Sequence, residues 1–339
     1  MINQEYNQEY NKNTTNIHAL EIAITIKRKK LDEINQVYEA FNNMKHCIEQ
    51  IIQKDNPLID FINNHSDIFY DIWKQKLISD IKENINNHEK LNSIYEKLIN
   101  DILQLINTKV NYEKVIDKDL NTVFYEWLLR VKSDYNFNHI DLLELAKLTW
   151  KTIQIFYKMF ENITNDIKNN KIQGTISINA EVSDILNPNF IPKIKELINK
   201  NNIDLNKQKI IIEILENQKI PNTKKFYKQI ILLKEMWFLI AFDDIFSEKV
   251  WLKETIKNLK ILNYNIDIIK IDWKKIHDLY NVYKAFPNSK IIEKCSNTIK
   301  LAQEKWIKVV AEWIETEDMF NFSKDILWAN LFQGFLFKK

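Results

Sequence analysis

The eleven residues KVVAEWIETED, 308–318, pass from an apolar run, Val309, Val310 and Ala311, straight into Glu312, with Glu315 three residues on. A short apolar run of this kind reads as a buried strand. A buried strand that ends on a carboxylate is either leaving the core or delivering charge to a site, and the other apolar runs decide which. Further candidate strands lie at 123–129, 175–179, 209–214, 237–243, 266–271 and 331–337, with the quoted stretch supplying 307–312. Each carries polar groups at or near its C-terminal end: Glu126, Asn179, Glu213, Asp243 with Asp244, Lys270 with Asp272, Glu312 with Glu315, and Gln333. Helical pieces such as PKIKELINK and SNTIKLAQEKW lie between several of them. Strand and helix in alternation predict a parallel sheet with crossover helices.

About seven or eight strands over about 230 residues fit a closed (β/α)8 barrel, for which about 250 is typical. The rival open doubly wound sheet lacks its glycine-rich turn. The fold class predicted is therefore α/β, a TIM-like barrel preceded by an all-α helical segment. In a parallel barrel all C-terminal strand ends open on one face, so the polar endings converge on one mouth. Alternation along a strand puts Glu126, Leu128 and Arg130 on one side and Trp127 on the other, and pairs Lys270 with Asp272.

The helical segment precedes the barrel. Apolar residues recur at helical spacing through Leu31, Ile34, Tyr38, Phe41, Met44, Ile48 and Ile51, and again through Leu91, Ile94, Leu98, Ile102 and Leu105. Pro57 interrupts the first series, and Ser66 and Asp67 are candidate caps for a later helix. A helical domain is expected over 1–106, with its bundle over 15–106 and a disordered start, and the barrel over 107–339. The steps of 3 and 4 also suit a dimerising coiled coil. His18, His46, His65 and His88 fall in this half without metal-ligand spacing and read as surface or capping residues rather than a sensor's ligands.

Composition narrows the function. The 339 residues are 45% hydrophobic and 28% charged, with a formal net charge of +2, so no global field draws the chain to a nucleic-acid polymer or an anionic membrane. The longest apolar run, 236–242, is far short of the roughly 20 residues of a membrane helix. Cys47 and Cys295 lie far apart and read as buried thiols, which suits a reducing, cytoplasmic setting. Glycine occurs twice, at Gly174 and Gly334, while Lys, Asn and Ile abound in a way that looks like codon bias.

Four or five acids gathered in one mouth raise one another's pKa and cannot all stay ionised alone. Divalent cations resolve this, and oxygen ligands without histidine or cysteine suit Mg²⁺ or Mn²⁺. Two such ions about 3.5–4 Å apart are the usual device for in-line attack on a phosphodiester. A lysine among the acids positions or activates the attacking water. Phosphodiester hydrolysis is the chemistry these residues predict.

The segments YEKVIDKDLNTVFYEWLLR, ISINAEVSDILNPNFIPKIKELI, IIIEILEN, IAFDDIF, IIKID, VVAEWIETED and FQGFLF resemble, in order and spacing, the EAL domain family over about 109–339. The resemblance implies a bacterial barrel phosphodiesterase that opens cyclic di-GMP to linear pGpG with two Mg²⁺ or Mn²⁺ ions. It implies that Glu126, Asn179, Glu213, Asp243, Asp244 and Glu312 bind metal, that Lys270 orients or deprotonates the water, and that Glu315 and Gln333 support the site. Arg130 would hold a substrate phosphate, with Leu128, Lys114 and Trp313 also on the substrate side. The chain departs from the pattern in four places. Trp127 stands in the name-giving motif, Trp313 stands for a glycine, Lys114 stands for a glutamine, and the loop 245–250 lacks both usual glycines and so cannot copy the usual conformation. These departures motivate a second expectation, a catalytically weak domain that binds cyclic di-GMP or a protein partner. Asp272 and Glu216 read equally well as structural, and Trp306, Trp328 and Phe335 as core.

Overall fold

The computed structural model describes residues 57–65, 68–69, 71–105, 107–132, 137–215, 223–245 and 265–338. The helical series at 31–51, the expected disordered start, Ser66, Asp67, His18, His46, Cys47, Glu216 and the loop 246–250 lie outside these residues. The chain divides into two compact units, Met1–Asn87 and His88–Lys339. In the first, Pro57 opens the helix Pro57–Asn64, at a position where its missing N–H costs no hydrogen bond. That helix buries Leu58, Phe61 and Ile62, and a second helix spans Asp71–Glu83.

The second unit starts with the helix His88–Leu105, whose predicted stripe buries Leu91, Leu98 and Ile102. The first strand begins at Asn107, and the compact unit that contains it begins earlier, at His88. Eight strands follow: β1 Asn107–Asp117, β2 Thr122–Lys132, β3 Thr175–Ala180, β4 Ile210–Leu215, β5 Leu239–Ile245, β6 Ile268–Ile271, β7 Lys308–Ala311 and β8 Leu331–Phe332. They close a barrel in sequence order, each strand bonded to the next and β8 to β1. Helices including Thr152–Lys168, Phe190–Asn201, Thr223–Glu235, Trp273–Ala285 and Lys290–Gln303 cross between the strands. This is the predicted barrel, and its strands β2 to β8 run parallel.

Three details differ from the sequence reading. β1 runs antiparallel to both neighbours and went unpredicted, because no apolar run announces a strand in NTKVNYEKVID and, of its side chains that are described, only Val115 and Ile116 are buried. The strand expected at 331–337 stops at Phe332, and the chain turns through Gly334 into a 3₁₀ turn, Phe335–Phe337. A Cβ on Gly334 would overlap the backbone of Ile314, so the close approach of these two segments depends on glycine. Trp306, Trp328 and Phe335 are not core, being 92%, 50% and 52% exposed. Cys295 is a buried free thiol, as expected.

The barrel interior is layered, as strand alternation requires. Val115, Phe124, Ile211, Ala241, Ile268, Val310 and Leu331 form one apolar floor, one residue from each strand except β3, where Ser177 pairs with Ile211. Two positions further along each parallel strand a polar residue follows: Glu126 after Phe124, Asn179 after Ser177, Glu213 after Ile211, Asp243 after Ala241, Lys270 after Ile268, Glu312 after Val310 and Gln333 after Leu331. On the antiparallel β1 the same step runs backwards, from Val115 to Glu113, which pairs with Glu126. Period-two geometry thus stacks a polar layer on an apolar one. Among the described residues no helix is long and apolar enough to cross a membrane.

Candidate active site

At the centre of the polar layer is Lys270, which is 1% exposed. Its Nζ lies 2.7 Å from Glu312 Oε1, 3.2 Å from Glu126 Oε2, 3.2 Å from Glu213 Oε2 and 3.6 Å from Asp243 Oδ1. Four strands therefore turn carboxylates on one ammonium. Gln333 Nε2 donates to Glu126 Oε2 at 2.6 Å, and Asn179 Nδ2 donates to Glu126 Oε1 at 3.4 Å. Glu126, Glu213, Glu312 and Gln333 are all buried.

The electrostatics sort these acids. Burial alone would push the Glu126 carboxyl up, but the Lys270 charge and the hydrogen bonds from Gln333, Lys270 and Asn179 reverse this and hold it below its usual value. Burial raises Glu213 to about 8, Lys270 offsetting only part of it while Glu126 and Asp243 add to the rise. Burial likewise lifts Glu312 well above the carboxylate range against the pull of Lys270, with Asp243 and Glu126 adding to it. For Lys270, burial opposes the charge, yet Asp243, Glu126, Glu213 and Glu312 together hold its ammonium well above the usual lysine value. Without metal the surroundings favour the charged forms of Lys270 and Glu126 and push Glu213 and Glu312 toward their protonated forms.

The donor set fits a divalent ion. It is all oxygen, which is the chemistry of Mg²⁺ or Mn²⁺. Glu213 Oε1, Asn179 Oδ1 and Gln333 Oε1 are buried oxygens with no hydrogen-bond partner, and such groups are costly unless something meets them. As the side chains stand, the carboxylates close on Lys270, and among the described residues no group of three or more acidic, histidine or cysteine side chains encloses an ion.

A family model described as EAL domain matches residues 99–339. The chain belongs to the EAL domain family. This EAL barrel resembles the solved EAL enzyme Bd1971 in its cAMP- and cyclic-di-GMP-bound form, with 19% identity and a TM-score of 0.57 over 78% of this chain and 69% of that one. It resembles the PaMucR phosphodiesterase in complex with c-di-GMP, with 20% identity and a TM-score of 0.56 over 68% and 96% of the two chains. The Xanthomonas citri FimX EAL domain in complex with c-diGMP matches with 11% identity and a TM-score of 0.59, over 74% and 94%. At these identities the likeness shows the fold. No curated protein matches the sequence.

The remaining expected site residues of this EAL domain fall as follows. Asp244 lies on β5, and its side chain is outside the description. Glu315 is exposed, next to the fully buried Ile314. Arg130 is part-exposed on β2, donates to the Leu129 carbonyl at 2.9 Å and approaches Glu113 at 4.0 Å, and Leu128 between it and Glu126 is half-buried. Asp272 has a structural duty, accepting from the backbone N–H groups of Lys274 and Lys275 as N-cap of its helix. Trp313 is 44% exposed, its ring 5.9 Å from Trp273 and 5.3 Å from Phe335.

Lys114 lines an open cavity of about 250 Å³ with Asn111, Tyr112, Glu113, Gln333, Gly334 and Lys338. Its register partner is Tyr125, so by parity it belongs to the face opposite Glu126, whereas Glu113 shares the face of Glu126. Glu113 is bonded at 2.8 Å to Lys338. The sequence reading missed Glu113 because it missed β1, and it missed the buried Ser177 although that residue stands two before Asn179.

Proposed function

We propose that this EAL domain hydrolyses cyclic di-GMP to linear pGpG with the help of two Mg²⁺ or Mn²⁺ ions. The observation that carries the reading is the buried Lys270 ringed by carboxylates from β2, β4, β5 and the end of β7, above an apolar floor. Family membership supports it, as does the c-di-GMP named in the complexes of PaMucR and FimX. Glu126, Asn179, Glu213, Asp243 and Glu312, with Asp244 beside them in sequence, would hold the ions. Bound there, the ions supply Lewis acidity to the phosphoryl oxygens and lower the pKa of water.

The chain's own residues supply the rest. Gln333 and Asn179 fix the orientation of the Glu126 carboxylate from its two sides. Lys270 provides a positive charge that is desolvated and already oriented, so it costs little reorganisation when negative charge develops on the phosphodiester. Arg130, part-exposed on β2 on the same face as Glu126, offers a guanidinium to a phosphate, whereas Lys114 is on the opposite face of β1 and is not assigned that role. Phe335, half-exposed beside the mouth, offers a flat surface to a guanine. Pairing of two chains through the helical segment belongs to the same reading, and sedimentation at several concentrations checks it.

A second reading, a receptor that binds cyclic di-GMP without cleaving it, is favoured by the way Lys270 engages four acids at once. Chromatography of cyclic di-GMP incubated with purified protein and Mg²⁺ or Mn²⁺ separates the two. Formation of pGpG that needs metal and disappears in Glu126→Ala is expected. Nucleotide binding by calorimetry without product establishes the receptor instead.

A further inference from the structure

Glycine is almost absent from the chain and tryptophan is abundant, two against nine. At the usual frequency of about 7%, a chain of this length carries about 24 glycines. The backbone shows where the missing ones belong. Among the described residues eight non-glycine residues have positive φ, and five of them are tryptophans: Trp150 (54°), Trp237 (70°), Trp306 (65°), Trp313 (53°) and Trp328 (66°). A large side chain is strained in this left-handed region, where glycine sits freely and asparagine is tolerated.

Three of the five occupy one motif. The N–H of Trp150 bonds the Lys147 carbonyl and the next N–H, of Lys151, bonds Ala146. Trp237 with Phe238 repeats this on Lys234 and Leu233, and Trp306 with Ile307 on Gln303 and Ala302. This is the Schellman helix end, whose left-handed residue is normally glycine. The same motif recurs at Asn170 and Asn202, where the chain uses the one other residue type that commonly suits it. So five equivalent helix ends carry two asparagines and three tryptophans. Trp328 follows a π-helical turn, and Trp313 sits between Glu312 and Ile314 at the rim of the site.

All five rings are at least 44% exposed, which invites a rival account, an aromatic docking face. Docking selects for an exposed ring but has no use for a left-handed backbone, still less for the same backbone at three separate helix ends. We infer that Trp150, Trp237, Trp306, Trp313 and Trp328 are glycine positions, glycine in the native protein, and that the tryptophans reflect the reading of one codon. The replacement of one residue type by another at unconnected sites is what a codon's meaning does. UGA is the triplet that variant genetic codes read either as tryptophan or as glycine, and the surplus of Lys, Asn and Ile is that of A- and U-rich coding. The consequence for the site is direct, because glycine at 313 removes an indole from the rim beside Glu312. The inference stands on backbone geometry and does not rest on the proposed hydrolysis.

Peptide mass spectrometry of the protein purified from its own cells reads these positions. Glycine at 150, 237 and 306 is expected, and tryptophan at those three overturns the inference. An independent arm compares recombinant chains. Trp306→Gly and Trp150→Gly should each raise the melting temperature by about 2–4 °C, since removing left-handed strain outweighs the freedom glycine adds to the unfolded chain. Trp306 should show the clearer gain, because at 92% exposed it has little packing to lose. The gain should be smaller at Trp237 and Trp328, whose rings carry the Lys209 and Lys300 ammonium groups 4.9 and 4.4 Å from their centroids. Asn202→Gly, a control at the same motif, should move little. A chain with glycine at all five sites that melts no higher than the tryptophan chain also overturns the inference. Neither measurement reads turnover, so failure here is distinct from failure of the functional proposal.

Discussion

The residue that organises the site is Lys270, and its removal exposes how the acids are balanced. Replacing a buried charge that serves several partners leaves them uncompensated, at a cost of about 3–5 kcal/mol. Lys270→Met should therefore lower the melting temperature of the metal-free protein, and by more at pH 8 than at pH 5. The sign follows from the acids. With its raised value Lys270 stays charged across this range, so in the native chain its contribution is constant, whereas in the variant Glu126 loses its main counter-charge and accepts a proton more readily as pH falls. Protonation relieves the buried charge, so the variant's deficit shrinks at pH 5. Thermal unfolding of both chains at the two pH values checks this, and an equal deficit at both would show that Lys270 matters for packing alone. The native metal-free chain has a slope of its own. Glu213 binds its proton more tightly folded, at about 8 against an ordinary 4.5, so the stability linked to it is complete below about 4.5 and is lost as pH rises through about 8.

At the scale of elements, the sequence shows the parallel strands because each has an apolar floor residue with a polar residue two positions on, and that alternation is written in the chain. Seven of the eight strands were legible for this reason, and so were Glu126, Asn179, Glu213, Asp243, Lys270, Glu312 and Gln333. β1 was not, since its side chains are mostly half-exposed, and with it went Glu113, whose place is fixed only by pairing with β2. The end of β8 was overextended because 331–337 is apolar throughout, while its true limit is set by tertiary contact. Gln333 N–H bonds the Ala311 carbonyl, Ile314 N–H bonds the Gln333 carbonyl, and Gly334 lets the two segments touch. Gly334→Ala should separate them and withdraw the Gln333 amide from Glu126. The expected cost is about 1–3 kcal/mol of stability, typical of forced overpacking, with a fall in turnover or nucleotide affinity. If Gly334→Ala melts and acts as the parent does, the contact between β8 and the turn after β7 has no part in orienting Glu126.

For the whole barrel, the question is how an apolar cylinder supports so much negative charge at one end. Without metal it does so by placing Lys270 among the acids and by surroundings that raise the proton affinity of Glu213 and Glu312. A divalent ion must displace protons held there, because a protonated carboxyl is a poor ligand. Metal binding and proton release are therefore linked. In the sign convention of linkage, a site that loses protons on binding gains affinity as pH rises, until the last of the displaced protons is already gone. Mn²⁺ affinity should rise from pH 6 to pH 8 and flatten above the Glu213 value of about 8, apart from any further rise from Glu312, whose shift is upward too. The rise should approach about tenfold per pH unit for each proton displaced. Calorimetry in two buffers of different ionisation enthalpy measures the protons directly, and net release on Mn²⁺ binding is expected at pH 6. Release of none, with affinity independent of pH, would mean that the ion binds outside the Lys270 cluster and that the cluster is a structural plug for the barrel end. Release that disappears in Glu213→Gln, with binding retained but weaker, would place Glu213 among the groups that give up a proton to the ion.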